Sequence, residues 1–304
     1  FRLKLKLSPK KSVKVAIISD LHVENHRVLP GPYQGGVNQR CRHAAAAIRA
    51  VPKALSHAKQ RGVEAVVVTG DVFDCARPDP AVLAEAADAL ATYPCPVYLL
   101  PGNHERSSDG PGHHALAALR HSKNCVVVDE PCVVLSAYVA GGLLLVPFVT
   151  NAAERIAALV AEHRPAYAFC HVGLVSDDSP PWLKQGDRLP VELVRSWCEQ
   201  YKLRGLFAGD FHAHRVHSAA PPIVQVGALC QADFADPADA TGFVTVLDVK
   251  AASIKVLPVP RPVFRTVAAE PIATFRQRVA GLTPYNDGPS GERLTPMLYL
   301  SVEC

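Results

Sequence analysis

Three β-branched apolar runs, at residues 13–19, 65–69 and 96–100, are separated by two stretches of helical periodicity, and this alternation limits the fold more than any other feature. The run Ala65-Val66-Val67-Val68-Thr69 has no charged interruption, as a strand covered on both faces requires. Between the first two runs, Ala44, Ala47, Ile48, Val51, Leu55 and Ala58 keep helical spacing, with Lys59, Arg61 and Gly62 closing the helix and Pro52 predicting a break or kink inside it. Between the second and third, Asp79 is placed to cap a helix that starts at Pro80 and carries an Ala/Leu stripe to Leu90. Strand, helix, strand, helix, strand at these spacings predicts right-handed parallel crossovers, hence an α/β fold whose ligands bind at the carboxyl edge of a helix-covered sheet.

The bulk numbers allow this and exclude little. The 304 residues, 49% hydrophobic and 20% charged, suit one large domain or one domain with an appendage. A formal net charge of +4 suits an anionic substrate but is too small to indicate nucleic acid by itself. Nine cysteines with no Cys-x-x-Cys pair, mostly in or beside apolar runs, predict reduced cytosolic thiols rather than a disulfide framework or zinc cluster. The longest apolar stretch, 132–149, is broken by Gly141-Gly142 and Pro147, which predicts two strands around a glycine turn within a hairpin-like region at 126–149, not a membrane span. No secretory signal is expected, and a chain starting at Phe1 whose single methionine is Met297 is expected to begin inside a longer translated product.

The ends of the runs are more informative than the runs. The first ends at Asp20-Leu21-His22, the second at Gly70-Asp71-Val72-Phe73-Asp74, the third at Pro101-Gly102-Asn103-His104-Glu105, with Gly102 expected to permit a sharp turn. After a predicted helix at 152–162, the run 166–170 ends at His171, and the run 205–208 ends at Gly209-Asp210-Phe211-His212-Ala213-His214. Further strands are predicted at 223–229 and 242–249, and the part after 262 reads as strand, short helix at 272–279 and strand at 297–302. Singly, each polar end has a structural explanation: an Asp caps a helix, an Asn suits a turn, a His is satisfied on the surface. Five such ends at one sheet edge predict a metal and phosphate site.

Taken in order across residues 15 to 214, Asp-x-His, Gly-Asp, Gly-Asn-His-Glu, His and the closing Gly-x-x-His resemble the calcineurin-like metallophosphoesterase superfamily. Within it, Gly70 to Asp74, Asn38-Gln39-Arg40, and Val226-Gly227-Ala228 followed by Asp236 are similar to the SbcD-like DNA-repair nucleases of bacteria and phages, over roughly residues 13 to 262. The resemblance implies a four-layer sandwich of two β-sheets flanked by helices. It assigns Asp20 and His22 to a first metal, Asp71 to both metals, and Asn103 and His171 to the second, with His104 protonating the leaving oxygen. Ligands of carboxylate, amide and imidazole type without thiolate suit two divalent cations, Mn2+ first and Fe2+, Zn2+ or Mg2+ as alternatives. Two such ions about 3.5–4 Å apart can clamp a phosphodiester and acidify a water between them.

The closing motif departs from the family pattern, because Asp210 stands where the family usually has histidine. Alternating residues of an extended segment point the same way, so Asp210 with His212 is the expected ligand pair and His212 with His214 the alternative. With Asp210 as a ligand the centre carries one positive charge fewer than usual, which predicts a preference for millimolar Mn2+ and an alkaline optimum.

The resemblance implies a DNA nuclease, exo- or endonucleolytic, acting in repair and recombination in the cytoplasm of a bacterium or phage-infected host. The alternative is a small-molecule nucleotide phosphodiesterase or phosphatase on the same fold. His26, Asn38, Arg40 and Arg42, in a loop that also carries Arg27 and Tyr33, are the candidate DNA contacts, and the loop at 106–114 should flank the site from another side. Expected partners are DNA, a second copy of the chain, and an SbcC-like ATPase whose usual grip lies beyond the residues given; no membrane is expected. Residues 1–262 are expected to form the nuclease domain, and 263–304 a C-terminal extension or the start of a capping subdomain, with the proline-rich 258–262 as the boundary.

Overall fold

The structure, a computed structural model, describes residues 2–4, 13–24, 42–106, 113–136, 139–230, 241–260, 285–286 and 293–294. The chain opens with β1 (Arg2–Lys4) and β2 (Lys14–Ile18), and helix α1 (Arg42–Gln60) returns it to β3 (Ala65–Val68). Helix α2 (Pro80–Ala91), capped by the Asp79 carboxylate on the Ala81 N–H at 2.8 Å, leads to β4 (Val97–Leu99), and a 3-10 segment (Ala115–His121) leads to β5 (Cys125–Val127). Strands β6 (Cys132–Ser136) and β7 (Val139–Val146) form a hairpin, and α3 (Ala152–His163) precedes β8 (Tyr167–His171). A small parallel pair, β9 (Gly173–Val175) and β10 (Arg188–Pro190), precedes α4 (Val191–Tyr201) and β11 (Leu206–Gly209). Then come β12 (Arg215–Ala219), β13 (Pro222–Gln225), β14 (Thr241–Asp248) and β15 (Ser253–Pro260), and a last short pair, β16 (Tyr285–Asn286) and β17 (Arg293–Leu294).

Among the described residues two large sheets form, a six-stranded one ordered β15-β14-β2-β3-β4-β5 and a seven-stranded one ordered β1-β6-β7-β8-β11-β13-β12. The strands from β2 to β5 are parallel, as are β7, β8, β11 and β13; the helices α1 to α4 supply most of the crossovers, and β13 is reached from β11 through β12. Strand alternation sorts the side chains into three cores. Val15, Ile17, Val67 and Tyr98 meet Leu145, Tyr167, Phe169 and Phe207 between the sheets. Ala16, Ile18, Val66 and Val68 pack outward on Val51, Leu55, Val82 and Leu90 of α1 and α2, and Leu144, Ala168 and Leu206 pack on Ile156, Val160, Val194 and Trp197 of α3 and α4. The result is an α/β four-layer sandwich. Its described helices include none long and apolar enough to cross a membrane, and its described cysteines are free thiols.

Several expectations need correction. Of the break or kink expected at Pro52, the break does not occur: α1 runs through it. Burying Ile48, Val51 and Leu55 contributes about 1.5–3 kcal/mol each, which outweighs the roughly 3 kcal/mol cost of an interior proline. The Gly141-Gly142 pair is not the hairpin turn but sits inside β7, where Gly142 has φ +76° and a Cβ would come within 2.8 Å of the Val134 carbonyl oxygen. Val126 belongs to the other sheet, beside Tyr98. Pro258 pairs with Phe243 within β15, an edge strand, where a missing N–H is tolerated. Most of 263–304, including the expected helix at 272–279 and strand at 297–302, lies outside the described residues, as do His26, Arg27, Tyr33, Asn38, Arg40, Asp236 and 107–112.

Candidate metal centre

The five polar strand ends do not share one sheet edge. Those after β2, β3 and β4 leave one sheet, those at β8 and β11 leave the other, and they meet at one end of the sandwich. Backbone bonds lace the first two loops together: the Asp20 N–H donates to the Gly70 carbonyl at 3.1 Å, and the Leu21 and His22 N–H groups donate to the Asp71 carbonyl at 2.8 and 3.0 Å. Asp20, His22, Asp71 and Asp210 take φ values of 50°, 46°, 49° and 86°. Such left-handed conformations cost on the order of 1–3 kcal/mol each and gather where function over-determines the backbone. Gly102 does not have a positive φ, so its expected role changes. A Cβ there would overlap the Asp71 carboxylate, so glycine is required by close approach rather than by a turn.

Asp71 is central. One oxygen lies 3.3 Å from His171 Nε2 and 3.8 Å from His22 Nε2, and the other accepts the His104 N–H at 3.2 Å. His171 Nδ1–H donates to the Thr69 carbonyl at 2.7 Å, which turns Nε2 toward Asp71 and toward Asn103 Oδ1 at 2.8 Å. His22 Nε2 lies 3.0 Å from His212 Nε2 and 4.0 Å from Asp20 Oδ1. Two groups therefore share Asp20: Asp20 with His22 and His212, and Asp20 with Asp71 and His171, the potential ligand atoms within each lying inside 4.8 Å of one another. Facing imidazole nitrogens over buried carboxylates form a nitrogen and oxygen donor set that fits divalent Mn, Fe or Zn.

The charges agree. Burial raises the Asp20 carboxyl above its usual range although His171 and His212 oppose this. Burial also works against Asp71, but His171 holds it down to about 2. Burial disfavours a charged His171, yet Asp71, then Asp20 and Asp210, raise it to about 10.

Asp210 sits at the rim. One oxygen is 4.0 Å from His171 Nε2 and the other accepts the Arg188 Nη1–H at 3.1 Å. Its N–H donates to both Asp20 oxygens at 3.2 and 3.3 Å. His214 is not brought to the cluster: its Nδ1–H donates to the Val226 carbonyl at 2.9 Å and its ring stacks on Phe243. His104 is half-exposed, edge-on to the His22 ring, with Nδ1 3.0 Å from Asp74 Oδ1. That bond, foremost, raises the imidazole to about 9. Arg42 opens α1, and its side chain lies outside the described residues.

Three supporting residues, Asp74, Gln225 and Arg188, have no role in the sequence reading, and a fourth, Glu105, has no partner in it. Asp74 receives both His104 and His22 Nδ1, the latter at 2.7 Å, which pulls its carboxyl well below the usual range despite partial burial. Its signal was a second carboxylate three residues after Asp71. Glu105 is fully buried and accepts the Phe73 N–H at 3.0 Å and the Gly102 N–H at 2.8 Å, tying two loops together; burial, then Asp71, raises its carboxyl to about 8. Gln225 donates to the Gly209 carbonyl at 2.8 Å and the Phe211 carbonyl at 3.3 Å, holding the segment that carries Asp210 and His212. Arg188 holds Asp210 and lies over the Phe211 ring at 4.7 Å.

Comparison with known proteins adds the family. The calcineurin-like phosphoesterase profile matches residues 13–214. The crystal structure of TT1561 of Thermus thermophilus aligns with a TM-score of 0.50 at 13% identity, covering 82% of this chain and 99% of that one. That of a dimetal phosphatase from Danio rerio aligns with a TM-score of 0.49 at 10% identity, covering 82% and 96%. At 13% identity the first likeness concerns the fold alone. No curated protein sequence matches the chain.

Proposed function

The chain belongs to the calcineurin-like phosphoesterase family, and on that premise we propose that it is a two-metal phosphodiesterase that cuts DNA, of the SbcD-like type. The observation that carries the hydrolytic reading is the meeting at Asp20 of two groups with ligand atoms close enough to hold a cation each, with the His104–Asp74 pair beside them. Asp20, His22 and His212 would hold one cation, and Asn103, His171 and Asp210 the other, with Asp71 between. Mn2+ is the first candidate. When bound, such a pair clamps the phosphate and acidifies the attacking water.

The chain's own groups do the rest. Asp74 keeps His104 protonated and fixes its ring, so that Nε2 can give its proton to the leaving oxygen. Glu105 fixes the segment bearing Asn103 and His104. Support for DNA comes from the rim. Arg106 lies over the Phe148 ring, itself edge-on to His171, and Arg188 lies over Phe211; on this reading their guanidinium groups meet backbone phosphates. Trp182, 69% exposed in the loop before Arg188, offers a stacking face.

The test is incubation with Mn2+, Mg2+ or EDTA of labelled linear DNA, circular DNA, and small phosphomonoester and phosphodiester reporters. Mn2+-dependent cleavage of DNA that EDTA abolishes is the expected result. Rapid cleavage of small reporters with DNA untouched would replace the nuclease with a nucleotide phosphodiesterase or phosphatase.

A further inference from the structure

We infer that Arg188 makes the two metal positions unequal, by competing with a cation for the Asp210 carboxylate. The position bounded by Asp71, Asn103, His171 and Asp210 then loads second and weakly, while that of Asp20, His22 and His212 loads first. The inference rests on the two-metal reading above and concerns what this chain does differently from the family pattern, where histidine stands at 210.

A histidine at that point would not attract an arginine, whereas a carboxylate does. Arg188 Nη1 lies 3.1 Å from Asp210 Oδ2. The guanidinium does not depend on Asp210 to stay in place. Its Nε donates to the Leu183 carbonyl at 3.3 Å, Nη1 also donates to the Asp187 carbonyl at 3.2 Å, and the group lies 4.7 Å over the Phe211 ring. A cation arriving at His171 therefore finds one Asp210 oxygen engaged and a fixed positive charge behind it. Only Oδ1, 4.0 Å from His171 Nε2, faces the site. The side chains of Arg188 and Asp210 are 29% and 18% exposed, so solvent screens this charge less than it would a surface pair. Among the described residues, the other position has no such competitor on Asp20, which accepts the Asp210 N–H and neighbours the His22 imidazole.

Arg188 is a positioning residue in this scheme, so its test reads metal binding directly. Isothermal titration of the metal-free protein with Mn2+ is expected to show two phases, the second at least about tenfold weaker, which corresponds to roughly 1.4 kcal/mol. In Arg188→Gln the second phase should tighten about tenfold and the first stay within about twofold, while Arg188→Lys, which keeps the charge, should behave as wild type. Circular dichroism checks that each variant is folded. The inference is overturned by an Arg188→Gln second phase that is unchanged or weaker. The wild-type isotherm tests the inequality without any variant, since two sites of equal affinity overturn it. Absence of Mn2+ binding altogether overturns the two-metal reading itself, an outcome distinct from equal sites.

Discussion

Replacing Gln225 by leucine should loosen the segment that delivers Asp210 and His212 while leaving the sheets assembled. The side chain is 2% exposed, and its amide donates to the carbonyls of Ala208 at 3.1 Å, Gly209 at 2.8 Å and Phe211 at 3.3 Å. Its oxygen accepts the Leu174 N–H at 2.9 Å. The Ala208 carbonyl keeps the Val226 N–H at 2.8 Å, so little is lost there. Gly209 and Phe211 each lose a donor and Leu174 loses an acceptor. Leaving a buried polar group without its partner costs about 1–3 kcal/mol, and some relaxation around the loop puts the total near 3–5 kcal/mol. Leucine has a similar volume, so no cavity penalty is added. Urea unfolding followed by far-ultraviolet circular dichroism should show a lower midpoint at an unchanged slope, and a Mn2+ titration should show weaker binding at both positions. A loss below about 1 kcal/mol with unchanged Mn2+ affinity would refute the reasoning, because it would mean that these four bonds do not hold the loop.

Asp74→Asn removes the carboxylate shared by His22 and His104 and should weaken metal binding or turnover by about 10- to 100-fold, as loss of groups that orient metal ligands does. The pH dependence carries the sign. His104 is raised to about 9, so its proton is present below that pH and lost above it, and in the variant the alkaline limb of the pH–rate profile should move down toward the ordinary histidine value of about 6.5. His104→Ala should keep Mn2+ binding and lose about 10²- to 10⁴-fold in turnover; a variant as active as wild type removes its role as the acid. Gly102→Ala drives a Cβ into the Asp71 carboxylate and should cost both stability and metal affinity, read by thermal unfolding and Mn2+ titration.

Much of the architecture is legible in the chain because each apolar run reports its own surroundings. Val66, Val67 and Val68 read as a fully covered strand, and they are one. Asp79 and Pro80 mark a helix start because capping is local. The strand ends at Asp20, His22, Asp71, Asn103, His171 and His212 are visible for the same reason, and the structure places them together. What sequence cannot carry is the partner across space. Glu105 stands in the third motif, but its bond to the Phe73 N–H, 32 residues away, is not legible there. Gln225 reads as an ordinary strand residue until the Gly209 carbonyl is beside it. The expected charge deficit at Asp210 took no account of Arg188, whose positive charge faces that carboxylate. Gly141-Gly142 misled because a glycine pair looks the same whether it makes a turn or relieves crowding inside a strand.

The most direct measurement of the central claim is an anomalous difference map from crystals soaked at high Mn2+ concentration and measured at the manganese edge. The expected result is one peak among Asp20, His22 and His212 and a second, weaker one against Asp71, Asn103 and His171, about 3.5–4 Å apart. Manganese bound elsewhere on the protein, with no peak among these side chains, would contradict it.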